Sequence, residues 1–453
     1  MRIQKRSAER NPNFPKKSPA STENAHSEHS PIRTFGEVFP DGAVIELIQE
    51  AATKSLSLFL SDGKTRKIAP EVDFRGHVYR AADINHSILL ATRFPSKCDG
   101  FESTAKLFTE IRNTFMSRGF AEEVALPATY SSFASWFPAC LPAAPCLSIS
   151  GPQAEARLFL VLLSCMVRHP LPLGEVTRAS LCSLPMDLQL TLLIDQERIS
   201  RSAWGLLSAS NWRRAYIPWK GGLVNVFCAK AVYCGAKVIK NNFGDEALQI
   251  NLTPSRGRLP VLDGRDQQKI SERFQAKFLD YRCRNVMKVR ESRCDFPELD
   301  SSIRILGRIL GAPIVDAPEL QANLAPLLRE YQEGIRASKW LDLRCVTVEA
   351  ILDHCHKEPG KRVHVGTLTD TVNRILKGRG ERAKFEPEVI GGILRGQLGF
   401  SPKKRDRGGF YILLDNRVCR YAHQLAYGYD VAAVQEGIAE CSHCSAIFAT
   451  EEI

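Results

Sequence analysis

The chain has 453 residues, 44% hydrophobic and 25% charged, with 61 Lys and Arg against 50 Asp and Glu for a net charge of +11. That much apolar material excludes wholesale disorder and suffices for about two to four packed domains. The longest apolar run, Leu158–Val167, falls far short of the roughly 20 residues that span a bilayer. The start, Met1 to Arg6, leads into polar residues and prolines rather than an apolar signal segment, so a cytoplasmic protein is expected. Most of its fourteen cysteines are then expected as thiols. Cys146, Cys165, Cys228 and Cys234 sit in apolar runs and are expected to pack as small hydrophobes.

Residues 1–34 are rich in Pro, Ser, Asn and Lys and carry seven basic side chains against three acidic ones. Such a segment cannot bury enough surface to offset its ordering entropy, and a disordered basic tail is expected. Residues 35–143 read as a mixed α+β region. Apolar patches fill Gly42–Glu50 and Ser55–Leu60, Lys67–Tyr79 alternates around a turn at Arg75-Gly76, and Leu107, Phe108, Ile111 and Phe115 have helical spacing. Lys64, Lys67 and His77 are expected on a solvated face.

Residues 144–290 read as an α/β unit. Pro145–Ser150 is a short apolar strand ending at Gly151, and the helix Ala154–Val167 follows directly. Leu190–Ile194 is a second apolar strand, ending at Asp195, and Trp204–Ser210 and Val224–Tyr233 supply further strand-like segments. Short apolar strands alternating with helices imply a largely parallel sheet. Gln267–Arg284 is a helix, and residues 291–340 form a helical lid or linker.

The junction after the first strand carries the most chemistry. A working phosphate loop, G-x-x-x-x-G-K-[ST], lies between a strand and a helix; its backbone N–H groups cradle phosphate, Lys neutralises charge and the hydroxyl holds Mg²⁺. Here the segment is Gly151-Pro152-Gln153-Ala154-Glu155-Ala156-Arg157-Leu158. Gly151 matches the first glycine. Ala156 stands at the second, Arg157 at the lysine and Leu158 at the hydroxyl. The strand ending Asp195-Gln196 has the shape of a Walker B strand, with Asp195 where Mg²⁺ is held through water. Gln196 stands where a glutamate polarises the attacking water, and an amide cannot act as a base.

With Trp136-Phe137-Pro138, Pro145–Leu158, Leu190–Gln196 and the helix Gln267–Tyr281, residues 36–340 resemble the helicase-type AAA+ P-loop ATPases of plasmid and phage replication, often fused or linked to a primase. The resemblance covers about two-thirds of the chain. It implies an α/β P-loop core, ring assembly and ATP-driven movement on DNA. It further implies a γ-phosphate sensor at Asn211, after the strand-like Gly205–Ser210, while Arg256, Arg258 and Arg265 stand where trans-acting arginines or solvated loop charges would be. The substitutions at the second glycine, the lysine, the hydroxyl and the glutamate point to a degenerate ATPase, for which ATP and Mg²⁺ are doubtful cofactors.

Residues 341–416 form a smaller basic domain. Val346–His356, Thr367–Leu376 and Glu386–Leu398 read as helices, Lys403–Gly409 as a basic turn and Phe410–Leu414 as a strand. This order resembles a winged helix. Residues 361–409 hold twelve basic side chains against five acidic ones, a net +7 that suits the phosphate backbone of DNA. The third helix would place Arg395 and Gln397 near bases, and Lys403, Lys404, Arg405 and Arg407 would line the wing. In residues 417–453, Cys419 and His423 precede Cys441 and Cys444, two close pairs that fit a tetrahedral zinc site. His443 is a spare candidate, whereas Cys345, His354, Cys355 and His356 read as structural or surface residues of a helix.

The expected protein is therefore DNA-associated and of mobile-element replication type: a P-loop-like core without ATP hydrolysis, followed by a DNA-binding winged helix. It would act as a homo-oligomer or with a replication partner protein. Two alternatives stand beside it. One is an active ATP-dependent helicase or translocase with a divergent loop, and the other is a sequence-specific DNA-binding regulator that never used nucleotide.

Overall fold

The computed structural model describes residues 30–50, 53–235, 247–255, 259–382, 384–406, 409–429, 431 and 441. Most of the basic tail, with Arg256, Arg258, Arg407, His443 and Cys444, lies outside the described residues.

The N-terminal region opens with β1 (Ile32–Thr34), β2 (Glu37–Val38), β3 (Val44–Gln49), β4 (Leu56–Ser61), β5 (Arg66–Ala69), β6 (Glu71–Phe74) and β7 (His77–Ala81). They form two small sheets, β2-β3-β4-β5 and β1-β7-β6. Ile32–Thr34, placed in the tail by composition, pairs in parallel with β7. The β6–β7 hairpin turns at Arg75-Gly76, both with positive φ (53° and 76°), as a tight two-residue turn between right-twisted strands requires. Helices α1 (His86–Ala91), α2 (Thr104–Met116) and α3 (Glu122–Ser135) follow. Ser103 caps α2 by accepting from Lys106 N, and Leu107, Phe108, Ile111 and Phe115 are buried together, as their spacing predicts.

The centre is a five-stranded parallel sheet: β8 (Cys146–Ser150), β9 (Pro170–Leu173), β10 (Thr191–Asp195), β13 (Ala229–Tyr233) and β14 (Leu248–Asn251), in the order β14-β8-β13-β10-β9. Around it lie α4 (Gln153–Ser164), α5 (Arg178–Cys182), α6 (Arg201–Ala209) and a hairpin of β11 (Tyr216–Trp219) and β12 (Gly222–Asn225). The core strands are covered on both faces, and continuous apolar runs such as Leu192-Leu193-Ile194 follow from that. Trp204–Ser210 is not strand. Its apolar residues Ala203, Leu206 and Leu207 are buried at helical spacing, and Ser200 caps the helix through Ala203 N. The fourth strand of the sheet is β13, at the end of the longer apolar stretch.

Helix α7 (Gly264–Glu291) runs 28 residues, well beyond the expected Gln267–Arg284, and α8 (Ser301–Gly311) and α9 (Pro318–Trp340) complete this part. One hydrophobic core joins β3, α2, α3, α4, the sheet and α7 to α9, so the N-terminal region and the α/β unit are packed as neighbours rather than strung as beads. A second core fills the opposite face, between β3, β4, β9, β10, α5 and α6.

Strand β3 serves both cores. Ile45 and Leu47 face one, Val44 and Ile48 the other, as the two-residue period of a strand demands. Glu46 shares a face with Val44 and Ile48 and is wholly buried. Its carboxylate takes Arg168 as a fork, Nη2 to Oε1 at 2.7 Å and Nε to Oε2 at 3.0 Å. Arg282 Nε lies 3.2 Å from Oε2 and His169 Nε2 3.4 Å from Oε1. All four residues are at most 2% exposed. Burial alone would raise the Glu46 carboxyl, but Arg168, His169 and Arg282 hold it well below the usual carboxylate range.

The C-terminal unit has a core of its own. It comprises α10 (Leu343–Lys357), β15 (Arg362–His364), α11 (Val365–Gly378), α12 (Pro387–Gly396), β16 (Lys403–Asp406), β17 (Gly409–Leu413) and α13 (Asn416–Gly428). The three strands form an antiparallel sheet, β15-β17-β16. Its boundary is not at 416. Asp415 caps α13 by accepting from Val418 N, and Cys419, Ala422 and Ala426 enter the same core, so residues 417–428 belong to the folded unit and not to a tail.

Candidate functional site

The strand–helix junction is built as a closed turn. Only Gly151 and Pro152 separate β8 from α4. A phosphate cradle needs several outward N–H groups, and Pro152 has none. Gly151 N donates to Gly235 O at 3.1 Å, and its carbonyl accepts from Tyr233 Oη at 2.9 Å, so both backbone groups are spent on the neighbouring strand. Gly151 has φ +122°, and a Cβ there would lie 2.3 Å from Leu252 O. Glycine is required here by close backbone approach, not by an anion. Gly151→Ala is expected to cost about 2–4 kcal/mol through backbone strain and overpacking, read as a drop in the urea midpoint. Glu155, 8% exposed in the first turn of α4, fills the place an anion would take at a helix N-terminus. Its Oε1 accepts from Ser255 N at 2.9 Å.

The fold does bring Arg157 and Asp195 together. Arg157, on the second turn of α4, donates from Nε to Asp195 Oδ2 at 2.7 Å across the C-terminal edge of the sheet. The two residues that stand at the lysine and Walker B positions thus neutralise each other. Gln196 is engaged elsewhere: Oε1 accepts from Val176 N at 2.6 Å and Nε2 donates to Arg198 O at 3.0 Å. It ties down the segment after β9 rather than facing the junction.

Asn211 does not join them. It follows helix α6, its carbonyl accepts from Ala144 N at 2.8 Å, and its Oδ1 accepts from the buried Lys230 Nζ. Lys230 pairs with Cys146 at the N-terminal ends of β13 and β8, whereas Gly151 and Asp195 lie at the C-terminal ends. A strand length, roughly 15 Å, separates the two edges. The sensor assignment fails because the strand it relied on is α6. The strand beside β10 is β13, which runs out at Cys234-Gly235. Arg265 is exposed at the start of α7.

The basic residues of the C-terminal unit are spread over one group of elements. Arg395 is exposed near the end of α12, and its guanidinium carbon lies 5.8 Å from the ring centroid of Phe410, itself 47% exposed on β17. Gln397 is exposed just past the last helical residue, where the expected helix continued to Leu398. Lys403 is exposed on β16, opposite Tyr411, and Lys404 and Arg405 follow on the same strand. Arg362, on β15, stacks over Tyr411 at 4.9 Å. A guanidinium over a ring face is attracted by the ring's quadrupole, by about 0.5–1 kcal/mol at an exposed site.

The expected Cys/His set is rearranged. His423 and Cys441 meet, but their third neighbour is His356 of α10. The Cys419 thiol donates to Leu414 O at 3.5 Å and is not among the convergent ligand atoms. Cys444 falls outside the described residues.

No family model and no curated protein matches this chain. Among solved structures it is similar to the C-terminal region of NrS-1, at 11% identity over 82% of this chain and 96% of that one, TM-score 0.30. It is also similar to a full-length MCM homologue from Methanopyrus kandleri, at 14% identity over 64% and 76%, TM-score 0.32. A third is Cch of SCCmec type IV, described as an active helicase, at 8% identity over 85% and 97%, TM-score 0.35. Superpositions this loose carry no argument about fold or activity. The parallel sheet and the residues at its edge stand on their own geometry.

Two features escaped sequence reasoning. The Glu46 network joins residues more than a hundred positions apart, and a glutamate inside an apolar strand was its only sign. His356 gave a weaker one, as a histidine next to a cysteine near a helix end. Among the described residues, no helix is long and apolar enough to cross a membrane.

Proposed function

We propose that this chain is a DNA-associated protein of the mobile-element replication type, with a P-loop-like core that has lost ATP hydrolysis and a C-terminal winged helix that binds DNA. The observation that carries the loss of hydrolysis is the Arg157–Asp195 ion pair beside the two-residue Gly151-Pro152 turn. Pro152 offers no N–H to a phosphate, Leu158 no hydroxyl to Mg²⁺, and Gln196 no carboxylate at the position that polarises water. The order helix, strand, two helices and a two-stranded wing supports the winged-helix reading, as does the exposed pairing of Arg395 with Phe410 beside Lys403.

What remains for the core is to hold shape: an α/β platform that positions the DNA-binding unit and presents a surface for replication partners or further copies. Purified full-length protein, incubated with Mg-ATP with and without single-stranded or duplex DNA, is expected to show no phosphate release above the blank, unchanged by Asp195→Ala. Turnover that Asp195→Ala abolishes would overturn the proposal and restore the active-ATPase alternative.

A further inference from the structure

We infer that His356, His423 and Cys441 form a zinc site that pins the chain at residue 441 onto the C-terminal unit. Their ligand atoms converge. His356 Nε2 and His423 Nε2 are 3.0 Å apart, Cys441 Sγ is 3.3 Å from His423 Nε2, and all three atoms lie within 4.8 Å of one another. The residues come from three places: the last turn of α10, the middle of α13, and a point eighteen positions beyond His423.

The tautomer of His423 decides what this convergence is for. Its Nδ1 lies 2.7 Å from Cys419 O. A carbonyl only accepts, so Nδ1 carries the proton and Nε2 of the neutral ring presents its single lone pair. Two neighbours approach that one lone pair at once, His356 Nε2 and Cys441 Sγ. A cation at the centre is within reach of all three ligand atoms, with Cys441 as thiolate. Cys419, expected as a ligand, instead supplies the carbonyl that orients a ligand ring, the usual partner of a metal-bound histidine.

The spacing and chemistry suit zinc. With Zn–N near 2.0 Å and Zn–S near 2.3 Å, the edges of a tetrahedron are about 3.3 Å for two nitrogens and about 3.5 Å for nitrogen and sulfur. The observed 3.0 and 3.3 Å reach those values by shifts of a few tenths of an ångström. Two imidazoles and one thiolate are a borderline-soft set that selects zinc over calcium or magnesium. His423 is 1% exposed, so the metal would be shielded on one side by the core of α10 and α13. Nothing here depends on the DNA-binding or nucleotide readings.

The test is metal content of the full chain, loaded with zinc and dialysed against metal-free buffer. About one zinc per chain is expected, falling at least tenfold in His423→Ala and in Cys441→Ser but not in Cys98→Ser. Cobalt substituted into the wild-type protein should give a thiolate-to-cobalt charge-transfer band, which reports the Cys441 ligand even where a variant fails to fold. A chelator should lower the melting temperature of the wild type and not of Cys441→Ser. A metal-free wild type after loading, a cobalt spectrum without the thiolate band, or zinc retained by a folded Cys441→Ser protein would each overturn the site.

Discussion

Replacing Glu46 with alanine is expected to cost about 3–5 kcal/mol, the range for breaking a buried ion pair from one side. Among the described residues, the carboxylate is the anion paired with both Arg168 and Arg282, which are 2% and 1% exposed. Removing it leaves two guanidiniums in the core with repulsion in place of attraction. Against a typical total of roughly 5–15 kcal/mol, that is a large fraction of the stability. Arg168→Met should cost less, because Glu46 keeps Arg282 and the methionine fills much of the volume. The order of urea midpoints, wild type above Arg168→Met above Glu46→Ala, is the measurement. An alanine variant as stable as wild type would mean the charges are solvated or neutral in solution.

The same network sets an acid limit. The Glu46 carboxyl is depressed when folded, so its contribution is full above the unfolded value near 4.5 and is lost as pH falls toward the depressed one. His169 works in the same direction from a higher starting point. Burial and the neighbouring Arg168 lower its pKa from 6.5, so the unfolded chain takes a proton that the folded chain refuses. Stability therefore begins to fall as pH drops below about 6.5. A thermal-melt series from pH 8 to pH 5 should show the descent, and His169→Gln should flatten its upper part.

The parts of this structure that rest on local periodicity were legible in the sequence. Strands β8 and β10, helix α2 and the turn at Arg75-Gly76 carry their signals within a dozen residues. The α6 segment was misread because seven residues with three bulky apolar side chains fit a buried strand and a short helix equally well. Ser200, three residues before Ala203, was the cap that separated them. That one error displaced the sensor assignment to Asn211. The closed turn was half legible: glycine was evident at 151, but its reason, Leu252 O at the end of β14, lies a hundred residues downstream. The two polar clusters, around Glu46 and around His423, were hidden for the same reason. Burial of a charge and convergence of ligands are decided by chain crossings, and neither leaves a periodic trace.

Binding of duplex DNA is expected to weaken by about 10²-fold between 50 and 200 mM salt. The estimate follows from counterion release. Each phosphate neutralised contributes about 0.9 to the slope of log affinity against log salt, and about four contacts from β16 and its neighbours give a slope near −3.6. The net +7 of residues 361–409 makes that number of contacts available, and it sits on a unit with its own core. Two substitutions separate the kinds of contact. Lys403→Ala removes an exposed charge on β16 and should weaken binding to every sequence alike while flattening the slope by about 0.9. Arg395→Ala removes a guanidinium oriented by Phe410 at 5.8 Å, and should cost about 1–3 kcal/mol on a preferred sequence and far less on a random one. Phe410→Leu is expected to reproduce part of the Arg395→Ala loss, because the cation then keeps its charge and loses its rest position. Fluorescence anisotropy with labelled duplexes at four salt concentrations measures all of these. Affinity independent of salt, or no binding at 50 mM, would remove DNA as the ligand of this face. Equal losses on every sequence for Arg395→Ala would move that residue from base reading to phosphate contact.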